Sequence, residues 1–370
     1  MLLLNMKQYR YRNIDIFRGL IMILMALDHC YLTIYQNHFS ESFDKNIPNY
    51  GSMAVFFTRW VGNICAPGFA LLMGMSISMH VSKNIKTIGN QTIINKLLKR
   101  GFLLIILQQL LNTPSLFFDI NNLNNVIVFR GGTLYALGVS MMVGALLIKV
   151  KKQNLLAIGL GIILINYIIA SYFLTHTNHN SFEYLLFTPG MNPWLSVNYP
   201  AIPWMGMSII GMSMGNYMIE DNNRFISNTW KIGIILLLLF VVLRAQNWGD
   251  YNHIANASSL INYLVIIKYP PSIAFVSITL GIIFLLIWLI TKLEDQAILK
   301  PFITYGNVPL FFYFAHYYLF IVISKFTNHA IPLNTMYILW VIGLIVLYPI
   351  CKYYSQFKKQ KSENSFWRLL

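Results

Sequence analysis

Apolar stretches of about the length that crosses a hydrocarbon core, roughly 20 residues, recur from one end of this chain to the other. They leave no segment long enough for a separate soluble domain. Ten spans are expected, near residues 14–34, 55–79, 101–116, 126–148, 155–174, 200–219, 230–248, 272–291, 308–324 and 335–353. In lipid each backbone N–H and C=O must be satisfied within its own segment or by a closed barrel. The expected fold class is therefore all-α, a single polytopic membrane helix bundle covering residues 1–370. Composition agrees, with 56% hydrophobic and 11% charged residues and a mean hydropathy of +0.57. The third span is the weakest, because Gln108, Gln109, Asn112 and Pro114 interrupt it.

Charge is distributed in a pattern that sets orientation. Of the 27 Lys and Arg residues, 20 fall in alternate exposed segments, including both ends. Only Lys45, Arg59, Arg130, Arg244, Lys268 and Lys325 lie in or beside the intervening loops. The positive-inside rule then places both termini in the cytoplasm. The net charge of +15 reads as short basic loops beside anionic headgroups, with membrane lipid as the partner and nucleic acid excluded. The basic stretch 358–361 is expected on the lipid surface. The first apolar stretch is long, contains charges and lacks a small-residue cleavage pattern, so it is expected to be retained.

Cys30, Cys65 and Cys351 have no metal-ligand spacing and are expected to be inert thiols. No metal is expected. The longer loops, 35–54, 175–199 and 249–271, fall on the expected outer side and are rich in Asn, Ser, Tyr and Trp. That composition suits hydrogen bonding and stacking against sugars, and equally suits an interfacial aromatic belt.

The first span carries Asp15, Arg18, Asp28 and His29 where an anchor would carry only apolar side chains. Each such group costs roughly 2.5–3.5 kcal/mol at a helix centre on insertion scales and usually faces a bundle interior or wet cavity. Arg18 and His29 are eleven residues apart. At about 100° and 1.5 Å per residue they share one helix face, about 16 Å apart. Asp15 is placed to pair with Arg18 at i,i+3, and Asp28 adjoins His29 on another bearing. Arginine suits bidentate phosphate recognition, and histidine suits general-base work near neutrality. A purely structural reading stands beside this one: a topology-setting Asp15–Arg18 pair at one interface and a His29 that bonds polar groups at the other.

Further motifs bear on the choice. The first span reads Ile14-Asp15-Ile16-Phe17-Arg18-Gly19-Leu20, passes Met22 and Met25, and ends Asp28-His29. The second contains Arg59-Trp60, then Cys65-Ala66-Pro67-Gly68-Phe69 and Gly74. Later come Tyr199-Pro200-Ala201-Ile202-Pro203-Trp204 with Gly206, and Gly306-Asn307-Val308-Pro309-Leu310-Phe311-Phe312-Tyr313 with His316. These segments resemble the transmembrane acyltransferase superfamily, and within it the branch containing the heparan-alpha-glucosaminide N-acetyltransferase catalytic domain.

The resemblance implies a multipass enzyme that takes an acyl group, expected to be acetyl, from cytoplasmic acyl-CoA and delivers it to a sugar hydroxyl or amine on the far side. It implies acetyl-CoA or another acyl-CoA as co-substrate and an envelope glycan or lipid-linked sugar as acceptor, in a bacterial inner membrane. Self-association is left open. His29 with Asp28 is the expected catalytic group, with His38, in the following loop, as the other histidine considered. Arg18, Asp15 and Arg59 are expected at the acyl-CoA, and Trp204, Asn307 and His316 at the acceptor. For Arg59 and His316 the plainer readings are snorkelling and interhelical hydrogen bonding. No His-Glu-x-x-His, phosphate-cradling glycine loop or Gly-x-Ser-x-Gly elbow occurs. The rival function is a multipass transporter or exporter of an envelope metabolite, in which the same charges couple ions. A noncatalytic partner of an envelope enzyme ranks after it.

Overall fold

A computed structural model describes residues 11–36, 49–118, 128–174, 179–251, 259–327, 331–362, 365 and 367, without the side chains of 112–118. The described chain is largely helical, with almost no strand. Among the described residues seven stretches are long and apolar enough to cross a membrane: α1 (Arg12–Ile34), the run Met53–Ile88 comprising α2 (Met53–Trp60) and α3 (Cys65–Ile88), α6 (Lys152–Phe173), α9 (Asn222–Ala245), α11 (Ile273–Leu293), α13 (Pro309–Thr327) and α14 (Leu333–Gln360). The protein is an integral membrane protein.

The other three of the ten expected spans fall short for separate reasons. The third lies inside α4 (Asn90–Phe118), whose first half carries Lys96, Lys99 and Arg100. The sixth is α8 (Ala201–Glu220), built largely of Gly, Ser and Met and buried over most of its length. A helix enclosed by other helices is selected for close approach rather than for lipid contact. The fourth, expected from residue 126, is helical among its described residues over the 14 residues of α5 (Thr133–Leu146). It is preceded by a short strand, β1 (Phe129–Gly131).

The chain folds as two compact units, a terminal one formed by Met1–His38 with Phe284–Leu370 and a central one formed by Phe39–Ile283. In the central unit α8 packs against α3, α5 and α6, and α4 packs against α5. Lipid tails give apolar helices no drive to associate, so backbone approach and interhelical hydrogen bonds carry that packing. A Cβ at Gly74 would strike the Ser208 carbonyl, and one at Gly211 the Leu71 carbonyl, so α3 and α8 touch backbone to backbone. Ser78 Oγ donates to the Met212 carbonyl at 2.8 Å across the same seam, a bond worth about 0.6 kcal/mol on average in a membrane.

Two short strands, β2 (Gly190–Asn192) and β3 (Leu195–Val197), follow α7 (Ser181–Leu186) in the long segment before α8. β3 is the middle strand of a three-stranded sheet, parallel to β1 with Arg130 opposite Ser196 and antiparallel to β2. The glutamines that weaken the third span hold this sheet. Gln109 accepts from the Arg130 amide at 3.0 Å and donates to its carbonyl at 3.2 Å, while Gln108 Oε1 takes the Leu134 amide at the start of α5 at 2.9 Å.

The segment after α9 is organised by Arg244. Its Nη1 meets Asp250 Oδ2 at 2.7 Å, and its Nε and Nη2 donate to the carbonyls of Tyr263 and Asn262, both in α10 (Leu260–Leu264). Both charged side chains are 1% exposed. Nearby, burial pushes the Tyr251 phenol well above its usual value, with Tyr167 and Asp250 adding to the shift.

In the terminal unit α1 packs against α13, α14 and the short helix α12 (Lys300–Gly306). α14 runs antiparallel to α1: Trp340 Nε1 reaches the Ile23 carbonyl at 3.3 Å, and Cys30 Sγ faces the Met336 carbonyl at 3.7 Å. The start of α1 and the end of α14 therefore share one end of this unit. Cys30, Cys65 and Cys351 are all buried, and none forms a disulfide.

Candidate active site

α1 presents two polar stations on one face, and the terminal unit packs each differently. Near its start a Cβ at Gly19 would fall on the Phe302 backbone, and one at Gly306 on the Asp15 carbonyl. Only glycine lets α1 and α12 meet this closely. The contact brings the Gly306 carbonyl to 3.1 Å from Arg18 Nη1, which also donates to Asp15 Oδ1 at 2.9 Å. Arg18 is thus aimed by an acidic neighbour on its own helix and by a carbonyl left at the C-terminus of α12. Asn307 caps α12 beside it, and its Oδ1 is buried with no hydrogen-bond partner.

Three turns further along α1, His29 Nδ1 lies 2.8 Å from His316 Nε2 of α13. His316 is fully buried, and its Nδ1 lies 2.6 Å from the Phe312 carbonyl one helical turn earlier. Tyr313 and Tyr317 stand edge-on to the His29 ring, with centroids at 6.0 and 5.7 Å. Thr33 Oγ1 donates to the His29 carbonyl at 2.8 Å, which extends the polar run toward the end of the helix.

The sequence-derived candidates divide between the two units. Asp15, Arg18, Asp28, His29, Asn307 and His316 belong to the terminal unit, and Arg59 and Trp204 to the central one. Asp15 meets Arg18, and the group that meets His29 Nδ1 is His316, with Asp28 partly buried on a neighbouring bearing. Arg59 is buried in the last turn of α2. Trp204 is buried in α8, with its Nε1 lacking a hydrogen-bond partner and its ring against Tyr199 and Phe275. His38 lies outside the described residues. Among the described residues no group of three or more His, Cys, Asp or Glu is arranged to hold a metal ion.

Sequence reasoning missed the two backbone carbonyls, of Gly306 and Phe312, and the Tyr317 ring. A main-chain acceptor leaves no trace in residue type. Tyr317 carried a weak signal, since 313, 316, 317 and 320 fall on one face of a helix.

Fold and site define a membrane-embedded helical protein whose first helix carries an arginine station and a histidine station. The family described as "Heparan-alpha-glucosaminide N-acetyltransferase, catalytic" matches residues 10–246, and the chain belongs to that family. The matched stretch includes Asp15, Arg18, Asp28, His29, Arg59 and Trp204, whereas Asn307 and His316 lie beyond it. No curated protein matches the chain.

Proposed function

We propose that this protein is a membrane acetyltransferase that takes an acetyl group from cytoplasmic acetyl-CoA and transfers it to a sugar hydroxyl or amine on the extracytoplasmic side. Family membership supports the transferase class. The observation that carries the finer reading is the pair of stations on α1, with Arg18 held by Asp15 and the Gly306 carbonyl and His29 held by His316 about three turns away. The separation, about 16 Å along the helix, suits a donor bound at one end whose thioester must reach the other.

In this reading Arg18 takes a phosphate or the pantetheine portion of acetyl-CoA, with Asp15 orienting it. The buried, unpartnered Asn307 Oδ1 suits an N–H donor of the substrate. His29, with Asp28 adjoining, removes the proton from the acceptor hydroxyl or amine. The acceptor atom attacks the thioester carbonyl, the tetrahedral intermediate collapses, the C–S bond breaks, and the thiolate leaves toward the cytoplasm and takes up the proton.

Residues 1–370 act as one transferase domain. Both termini lie in the cytoplasm of a bacterial cell whose inner membrane holds the chain, and the shared end of α1 and α14 supports an even number of crossings between them. The acceptor is an envelope glycan or lipid-linked sugar.

The test is transfer of radiolabelled acetyl from acetyl-CoA by purified protein in liposomes, with a pool of envelope glycans as acceptor. Wild type is compared with His29→Ala, Arg18→Ala and His38→Ala. Transfer lost in His29→Ala and kept in His38→Ala supports the assignment. No transfer above empty liposomes by folded protein that binds acetyl-CoA would overturn it in favour of a transporter.

A further inference from the structure

We infer that His316 is a positioning residue that fixes the tautomer of His29, so that Nε2 of His29 is the atom that takes the acceptor proton. The inference rests on the reading of His29 as the base and moves His316 away from direct acceptor contact.

The geometry assigns the protons in order. A carbonyl oxygen can only accept, so at 2.6 Å from the Phe312 carbonyl the His316 Nδ1 must carry the hydrogen. A neutral imidazole has one N–H, which leaves a lone pair on His316 Nε2. The nitrogen facing that lone pair at 2.8 Å is His29 Nδ1, and it must donate. The one N–H of a neutral His29 is then committed, and its Nε2 carries the lone pair a general base needs.

Ring orientation supports a true donor–acceptor line. The two ring planes differ by only 12° and their centroids are 5.0 Å apart. With the nitrogens at 2.8 Å, this leaves about 1.1 Å per ring, the centroid-to-nitrogen distance of an imidazole. The N–H therefore points along the in-plane lone pair of its neighbour, the direction such bonds favour at a planar nitrogen. The His316 ring is fixed in turn by its surroundings. It stacks on Phe312 at 5.1 Å, meets Phe320 edge-on at 6.2 Å, and has no exposed surface. A ring with no access to solvent and both nitrogens engaged is suited to holding a neighbour, whereas contact with a soluble acceptor needs an open edge.

Histidine in water favours the opposite tautomer, with hydrogen on Nε2, so the arrangement makes a prediction that does not depend on turnover. Solid-state NMR of the reconstituted protein labelled with ¹⁵N at the histidine rings would report which nitrogen of His29 is protonated, with its signals identified as those lost in His29→Gln. The expected result is a protonated Nδ1 in wild type, a shift toward Nε2–H in His316→Leu, and retention of Nδ1–H in His316→Gln, whose amide oxygen can accept the same bond. In parallel, His316→Leu should lose at least about tenfold in kcat, and no more than the roughly 10²–10⁴ that a general base contributes. Both KM values should stay close to wild type, and His316→Gln should recover most of the rate. A wild-type His29 protonated on Nε2, or a His29 tautomer unchanged in His316→Leu, overturns the inference. So does a raised acceptor KM in both variants. If none of the proteins transfers acetyl, the transferase reading falls while the spectra still decide the role of His316.

Discussion

The carbonyl of Asp15 occupies the space that a side chain at Gly306 would need, and the Gly306 carbonyl in return accepts from Arg18 at 3.1 Å. The obstacle is backbone, so it cannot rotate aside. Gly306→Val must push α12 from α1 at a cost of about 1–3 kcal/mol, typical of overpacking, and in doing so removes an anchor of Arg18. The expected outcome is a lower Tm together with a higher KM for acetyl-CoA. Gly161→Ala, at a position where a Cβ meets open space, serves as the control and should leave both unchanged or slightly improved.

The Asp15–Arg18 pair is largely buried, with side chains 10% and 19% exposed. Removing one member of a buried pair strands the other charge, at roughly 3–5 kcal/mol, whereas replacing both is far milder. Arg18→Gln should therefore be less stable than Asp15→Asn/Arg18→Gln, measured by thermal unfolding in detergent. Donor affinity separates the two roles of the pair. If Arg18 holds acetyl-CoA, the double variant regains stability and still shows the raised donor KM. Recovery of both would confine the pair to structure.

Much of this arrangement was legible in the chain because it is local. Helical periodicity alone puts Arg18 and His29 on one face, and Asp15 within reach of Arg18, and the structure has that geometry. What was illegible is what depends on distant segments meeting. His29 and His316 are 287 residues apart, and nothing in either segment says that one ring holds the other. Gln108 and Gln109 looked like defects in a membrane span, because a polar side chain in an apolar run carries no label for the strand and helix end it will bond. Arg244 read as one more loop charge. Its burial follows from Asp250 and two carbonyls that fold back over it.

That clamp makes its own prediction. Arg244 joins Asp250 to the carbonyls of Asn262 and Tyr263, with both charges 1% exposed. Arg244→Ala leaves a buried carboxylate and two carbonyls short of a donor, so a loss of about 3–5 kcal/mol is expected. Arg244→Met/Asp250→Leu should recover a large part of it. Limited proteolysis of the segment that follows α9 gives an independent reading: cleavage should rise in Arg244→Ala before any global unfolding. Equal stability of the single and double variants would mean that the pair is not the anchor of the segment.

Glu294, directly after α11, supplies a pH dependence with a definite sign. Burial raises its carboxyl above the usual value and Asp295 raises it further, while Arg12 and the Asn13 amide act in the opposite direction. The native state therefore holds this proton more tightly than the unfolded chain does. The stability it contributes is fully present below the unfolded value, about 4.3 for a glutamate, and is lost as pH rises through the raised native value. Glu294→Gln keeps a neutral side chain at every pH. The variant should match wild type in acid and gain on it as the pH climbs past the unfolded value, seen as a Tm difference that widens with rising pH and then levels. Asp295→Asn should narrow the difference by removing the second cause. A Tm difference that shrinks with rising pH would show that Glu294 is stabilised as the anion, with Arg12 outweighing burial.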